Sequence, residues 1–257
     1  MVQFSYSVSG NPARPWLTLC HPIGSSKQIW EALAERLGVH YRVLSYDIRG
    51  HGQSPAVPGE VAMDDLAGDC EAIWNALGIE QSVFVGLSLG GCIGLALAHR
   101  APHRVTALTV ACARLAMDVQ AANMWRERAD AVQTQGMAPV VEATLDRWLT
   151  EPWRQGHSEQ VQAIRATLAA TTPMGFAQCA RALANGQPLS RLAGLRLPVQ
   201  FIAGREDKAV PAAHLLGYAQ QTPGARFAEL PGPHLLHVES ETAFYEAVTQ
   251  FLGSASA

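Results

Sequence analysis

Residues Val83 to Gly91 read VFVGLSLGG, and the rest of the chain is arranged around them. Val83, Phe84 and Val85 are β-branched or aromatic and predict the end of a buried strand, while Cys92 to Arg100 (CIGLALAHR) predicts a buried helix. Between them Gly86-Leu87-Ser88-Leu89-Gly90 fits G-x-S-x-G, in which a serine is held on a sharp strand-to-helix turn with its hydroxyl pushed out above a sheet. The flanking glycines are explained by crowding where strand and helix are forced together. A five-residue match is weak alone, and an ordinary glycine-rich turn would also satisfy it. The strand before and the helix after give it specificity.

A serine hydroxyl is a weak nucleophile at neutral pH, so such a turn demands a base and a group to orient that base. In chains with this elbow the acid and the histidine follow the serine, on loops after later strands. The predicted strand VQFIA runs into Gly204-Arg205-Glu206-Asp207, and RFAEL runs into Pro231-Gly232-Pro233-His234. Spacing favours Asp207 as the acid, with Glu206 beside it as competitor. His234, directly after its strand, is favoured as base over His237, for which a structural role is the alternative. Acyl transfer also builds negative charge on a former carbonyl oxygen, which two backbone N–H groups can hold. By position these are Leu89, following the serine, and Ile23 in the loop HPIGSS. His21 in that loop is read as a brace rather than a second base.

The remaining pattern alternates strand and helix: WLTLC (16–20), an amphipathic segment 28–37, RVLSY (42–46), helix 63–77 with Gly78 as its C-cap, VTALTVAC (105–112), then strands near 198–203 and 226–230, helix 212–221 and a last helix 242–252. Residues 2–8 alternate like an edge strand, with a turn at Gly10-Asn11-Pro12. Such alternation predicts an α/β chain with a mainly parallel sheet covered on both faces. From Leu115 to Pro188 long helical segments replace it, read as a helical cap. The expected division is therefore a core of 1–114 and 189–257 with a cap of 115–188, and a frayed tail from Gly253.

At 257 residues, with 48% hydrophobic and 16% charged residues, the chain can bury a large core. A net charge of −3 gives no electrostatic reason to expect nucleic acid or an anionic membrane as partner. The cysteines Cys20, Cys70, Cys92, Cys112 and Cys179 are odd in number, far apart and without C-x-x-C, which argues against a disulfide framework or thiolate metal site. Most read as small buried hydrophobes. No leader-like segment opens the chain and no apolar run approaches a membrane span, so the expected compartment is the cytoplasm. DIRGHG (47–52) is read as a braced turn rather than a metal or phosphate motif. His99, His103, His157 and His214 are treated as isolated, Trp125 and Trp148 as core, and Arg126 and Arg128 as a solvated face unless the cap turns them inward.

Taken together, HPIGSS, YDIRGHGQS, VGLSLGG, GREDKAVP and PHLLHVES stand in the order of the α/β-hydrolase family, which the chain resembles over nearly its full length. Within that family it looks most like the 3-oxoadipate enol-lactonases, through YDIRGHGQS, GLSLGG and the cap segments MWRERADAVQTQGM and LDRWLT. The resemblance implies the α/β-hydrolase fold, Ser88, Asp207 and His234 as catalytic triad, and Trp125 and Arg128 facing the lactone pocket, where the arginine pairs with a substrate carboxylate. It implies no metal or organic cofactor, a small lactone or ester as the binding partner, and leaves a homo-oligomer open. Two departures, HPIG in the oxyanion loop and His237 where an asparagine is common, are expected to border the pocket. Rival readings are a related carboxylesterase, lactonase or carbon–carbon bond hydrolase, a cofactor-free perhydrolase, and a non-enzymatic ligand sensor of the same fold.

Overall fold

The computed structural model describes residues 3–186 and 190–255. Seven strands form one sheet in the order β1-β3-β2-β4-β5-β6-β7: β1 Tyr6–Gly10, β2 Trp16–Cys20, β3 Arg42–Tyr46, β4 Ser82–Leu87, β5 Val105–Ala111, β6 Val199–Gly204 and β7 Arg226–Leu230. Only β1 runs antiparallel, against β3; every other pairing is parallel. Parallel neighbours need crossovers, and the helices that make them are what the 3.6-residue periodicity marked. These are α1 Glu31–Leu37, α2 Met63–Leu77 and α3 Leu89–Arg100 in the first half and α10 Ala212–Gln221 in the second, while α11 Leu236–Glu239 and α12 Glu241–Ala255 follow the last strand. The central strands are buried on both faces, with Leu17, Leu19, Phe84, Val85, Leu108, Val110, Phe201 and Ile202 fully enclosed. That explains why they read as continuous apolar runs rather than alternating ones.

Between β5 and β6 the described residues form six helices: α4 Val119–Gln135, α5 Ala138–Trp148, α6 Glu151–Gly156, α7 Ser158–Ala170, α8 Pro173–Asn185 and α9 Ser190–Ala193. α4 starts five residues before the expected segment because the Asp118 carboxylate caps it, accepting from the Ala121 amide at 2.8 Å. α6 and α9 are too short to show a period and were not expected. The expected border at 188/189 lies outside the described residues. Two glycines let the insertion sit down on the sheet domain. A side chain on Gly50 would strike Gly175, and the reverse, while Thr172 donates through both its amide and its hydroxyl to the Gly50 carbonyl.

Two ends differ from expectation. β1 occupies Tyr6–Gly10 rather than 2–8, and Gly10 is its last paired residue, opposite Arg42, instead of a turn residue. All five of its residues are exposed, so hydrogen bonding to β3, not an alternating apolar face, sets its extent. At the other end α12 continues to Ala255, so Gly253 is helical; residues 256 and 257 lie outside the described range. Among the described residues no helix is long and apolar enough to cross a membrane.

Candidate active site

β4 ends at Leu87 and α3 begins at Leu89, leaving Ser88 alone at the bend with φ 56 and ψ −115. A non-glycine residue at this positive φ is strained, and the neighbours hold it there: its amide donates to the Ala111 carbonyl at 2.8 Å and its carbonyl accepts from the Cys92 amide at 3.1 Å. The glycines follow from the same compression. A Cβ on Gly86 would meet the Gly90 carbonyl, and one on Gly90 would meet the Cys20 carbonyl of β2. The Leu89 amide, at the first position of α3, and the Ile23 amide, in the loop after β2, have no acceptor among the described residues. Orphan amides at a helix start suit a developing anion.

His21 braces that second amide's loop. Its Nε2 accepts from the Ile48 amide at 3.0 Å, so Nδ1 carries the proton and donates to the Pro22 carbonyl at 2.8 Å. Burial, with the nearby His51, pushes its pKa down to about 3, and the neutral ring remains a fixed strut. The DIRGHG turn is braced likewise. The buried Asp47 carboxylate accepts from the Lys27 and Gln53 amides at 2.7 and 3.0 Å and from Lys27 Nζ at 2.8 Å.

The loop after β6 carries Asp207 and the loop after β7 carries His234, both buried. One Asp207 oxygen, Oδ1, accepts from the Ala209 and Val210 amides at 2.7 and 2.9 Å, which leaves Oδ2 to accept from His234 Nδ1 at 2.9 Å. Nδ1 therefore holds the proton, and Nε2 is free to accept one. The competing acid turns elsewhere: Glu206 accepts from the Gly232 amide and ties the two loops together. Ser88 and His234 line one cavity of about 440 Å³, with no hydrogen bond between them in this conformation. Ile23, Trp125 and Arg128 line it too, and the Arg128 guanidinium lies 5.0 Å from the centre of the Trp125 ring.

Several residues hold positions that the sequence pattern did not indicate. His237 does not border the cavity. It is packed behind it with its ring centre 4.1 Å from that of Trp30, and burial pushes its pKa down to about 3. His214, treated as isolated, lines the cavity beside the Arg114–Asp118 ion pair. Trp148, read as core, lines it as well and stacks on His234 at 6.5 Å and 19°. The signal was present on α5: Thr144, Arg147 and Trp148 share a face at i, i+3 and i+4. Cys112 had no such signal. Strained at φ 48 at the end of β5, it places its sulfur within 4.8 Å of donor atoms of both Asp207 and His234. Burial pushes its thiol well above the usual range, and the Asp207 charge adds to this, so it remains a protonated thiol. These three residues could offer a metal sulfur, oxygen and nitrogen donors. In this conformation the Asp207 oxygen and His234 nitrogen are engaged with each other.

A mostly parallel sheet with a strained serine at a strand–helix elbow, and a carboxylate–imidazole pair on the loops after the last two strands, defines the α/β hydrolases. The chain belongs to that family: the profile of the alpha/beta hydrolase fold matches residues 15–241. It is similar to 3-oxoadipate enol-lactonase 2 of Acinetobacter baylyi, at 30% identity over 96% of this chain and 92% of that one. Among solved structures it resembles the enol-lactonase from Burkholderia xenovorans LB400, with a TM-score of 0.94, 30% identity and coverage of 98% and 97%. It also resembles a thermophilic esterase from Thermogutta terrifontis, with a TM-score of 0.93, 25% identity and coverage of 100% and 95%.

Proposed function

We propose that this hydrolase opens a small carboxylate-bearing enol-lactone of the 3-oxoadipate enol-lactone type through an acyl-enzyme on Ser88. The observation that carries the reading is the Asp207–His234 pair, which leaves a proton-accepting nitrogen in the same cavity as the strained serine. His234 Nε2 takes the Ser88 proton as Oγ attacks the lactone carbonyl, and Asp207 holds the imidazole tautomer and supports its positive charge. The Leu89 and Ile23 amides receive the oxyanion. Collapse expels the ring oxygen as an enol, protonated by His234, and the enol becomes a ketone, which makes ring opening strongly favourable. Water deprotonated by His234 then releases the acid. No metal or organic cofactor is needed, and Arg128 beside Trp125 is the group that receives the substrate carboxylate. Similarity to the two enol-lactonases supports the lactone over a simple ester.

Steady-state hydrolysis of 3-oxoadipate enol-lactone beside p-nitrophenyl acetate tests this with wild type and Ser88→Ala. The reading expects kcat/KM for the lactone of about 10⁴ M⁻¹s⁻¹ or more, abolished in the variant. Turnover of the ester alone, still through Ser88, keeps the mechanism and rejects the lactone.

A further inference from the structure

The cavity wall carries four cationic side chains, Arg114, Arg128, Arg147 and Lys208, and one carboxylate, Asp118. Asp118 is already taken, at 2.7 Å from Arg114. Among the described residues no carboxylate lies within ion-pairing distance of Arg128, Arg147 or Lys208. Lys208 stands exposed at the rim, where solvent screens it. Arg147 is the anomaly, because it is half-buried and its one hydrogen bond goes from Nε to the Ala143 carbonyl of its own helix, at 3.1 Å. The rest of its donor fork has no protein acceptor among the described residues.

Arginines elsewhere in the chain show the contrast. Arg49 forks onto Asp69 with two contacts of 2.6 Å, and Arg165 forks onto Glu142. Burial alone lowers the Arg147 pKa, the mark of a cation removed from water without a counter-ion. Such a group costs free energy in the empty site and recovers it when a ligand brings the anion. Its helix also places it. Trp148, the next residue, stacks on His234, and α5 packs beside α4, which carries Trp125 and Arg128 at i and i+3.

We propose that Arg147 is a specificity-determining residue that completes, with Arg128, a two-arginine clamp for a free carboxylate, so that the enzyme also hydrolyses half-esters of short dicarboxylic acids. The proposal rests on the Ser88 acyl-enzyme reading. The chemistry balances with water alone: Ser88 Oγ displaces the alcohol, which leaves with the proton held by His234, and water then converts the acyl-enzyme to the diacid. A cavity of about 440 Å³ accepts a chain of this size, with the ester carbonyl at Ser88 and the far carboxylate at the clamp.

The test compares monomethyl adipate with methyl hexanoate, a neutral counterpart of the same chain length, and runs 3-oxoadipate enol-lactone in parallel. Wild type should favour the half-ester by about tenfold or more in kcat/KM. Arg147→Gln should erase most of that ratio, chiefly through KM, and Arg147→Lys should restore part of it. Independently of any variant, adipate should inhibit wild-type hydrolysis of p-nitrophenyl acetate more strongly than hexanoate does. Equal inhibition, or a charged-to-neutral ratio that Arg147→Gln leaves unchanged with its melting temperature intact, overturns the clamp. The outcomes separate the two readings. Lactone turnover with no Arg147-dependent charge preference rejects the clamp alone; an Arg147-dependent preference without lactone turnover rejects the lactone alone.

Discussion

His237 offers the cleanest test of the buried architecture. Its imidazole lies between Trp30 and Phe244, with ring centres 4.1 and 6.0 Å away, and burial, assisted by the neighbouring His234, lowers its pKa from 6.5 to about 3. The folded state therefore refuses a proton that the unfolded chain accepts, so the unfolded state binds more protons between pH 6.5 and about 3. Stability from this ring is fully present above pH 6.5 and is lost as pH falls toward about 3. At about pH 5 the unfolded imidazole is protonated about 30 to 1 while the folded one stays neutral, a difference of about 2 kcal/mol. His21 and His51, lowered to about 3 and about 4 by burial, act in the same direction. Glu239 and Asp69, whose carboxyls burial raises, act in the opposite one. Comparison with His237→Leu cancels these common contributions. Urea unfolding at about pH 8 and about pH 5 should show the pH-induced loss shrinking by about 2 kcal/mol in the variant. A variant that keeps the wild-type loss refutes the burial argument.

Gly90→Ala drives a Cβ into the Cys20 carbonyl and should lower stability by about 1–3 kcal/mol, with esterase activity lost, whereas Gly217→Ala, with open space around its Cβ in α10, should raise stability by about 0.5–1 kcal/mol. Thermal melts of the pair decide it, and two shifts of the same sign would count against the crowding account. Glu239→Gln weakens a carboxylate that accepts from the Thr150 amide and hydroxyl, both at 2.7 Å, and should cost about 1–2 kcal/mol in urea unfolding; no measurable cost would mean that this contact contributes nothing.

Local pattern made the sheet and the elbow legible because the central strands are buried on both faces and each crossover helix carries a whole period. β3, the helix 63–77 with its Gly78 cap at φ 67, and α10 fall on the residues that their patterns mark. The Asp207 and His234 loops were readable for a related reason: each follows a strand-like segment, VQFIA or RFAEL, so position alone carries it to the strand's carboxyl edge. The pocket walls were harder. Trp148 and Arg147 look like core and surface on a helical wheel, and only the packing of α5 beside α4 and α7 turns that shared face toward His234. Cys112 is adjacent in sequence to nothing chemical, and its contact with Asp207 arises from the pairing of β5 with β6. His237 is the converse case, a titratable residue near the histidine loop that burial has silenced.

The inserted helices do more than cover the cavity, because one of them is fastened to the base. The Trp148 carbonyl accepts from the Leu235 amide at 3.1 Å, the residue after His234, while the Trp148 ring stacks on the imidazole itself. Two residues later Thr150 is held by Glu239 at the end of α11, so the chain around 148–150 and the histidine loop form one hydrogen-bonded unit. A second attachment, Thr172 and Gly175 on Gly50, fixes α8 to the loop after β3. α4 is held differently, packing chiefly on α5 and α8, and it carries Trp125 and Arg128. Movement of α5 would carry the imidazole's support with it, since the Trp148 ring and carbonyl both hold the histidine loop. The two arginines of the clamp thus stand on helices packed together over one cavity: Arg147 is fixed relative to His234 through Trp148, and Arg128 reaches the same cavity from α4, which packs on the α8 that Gly50 anchors.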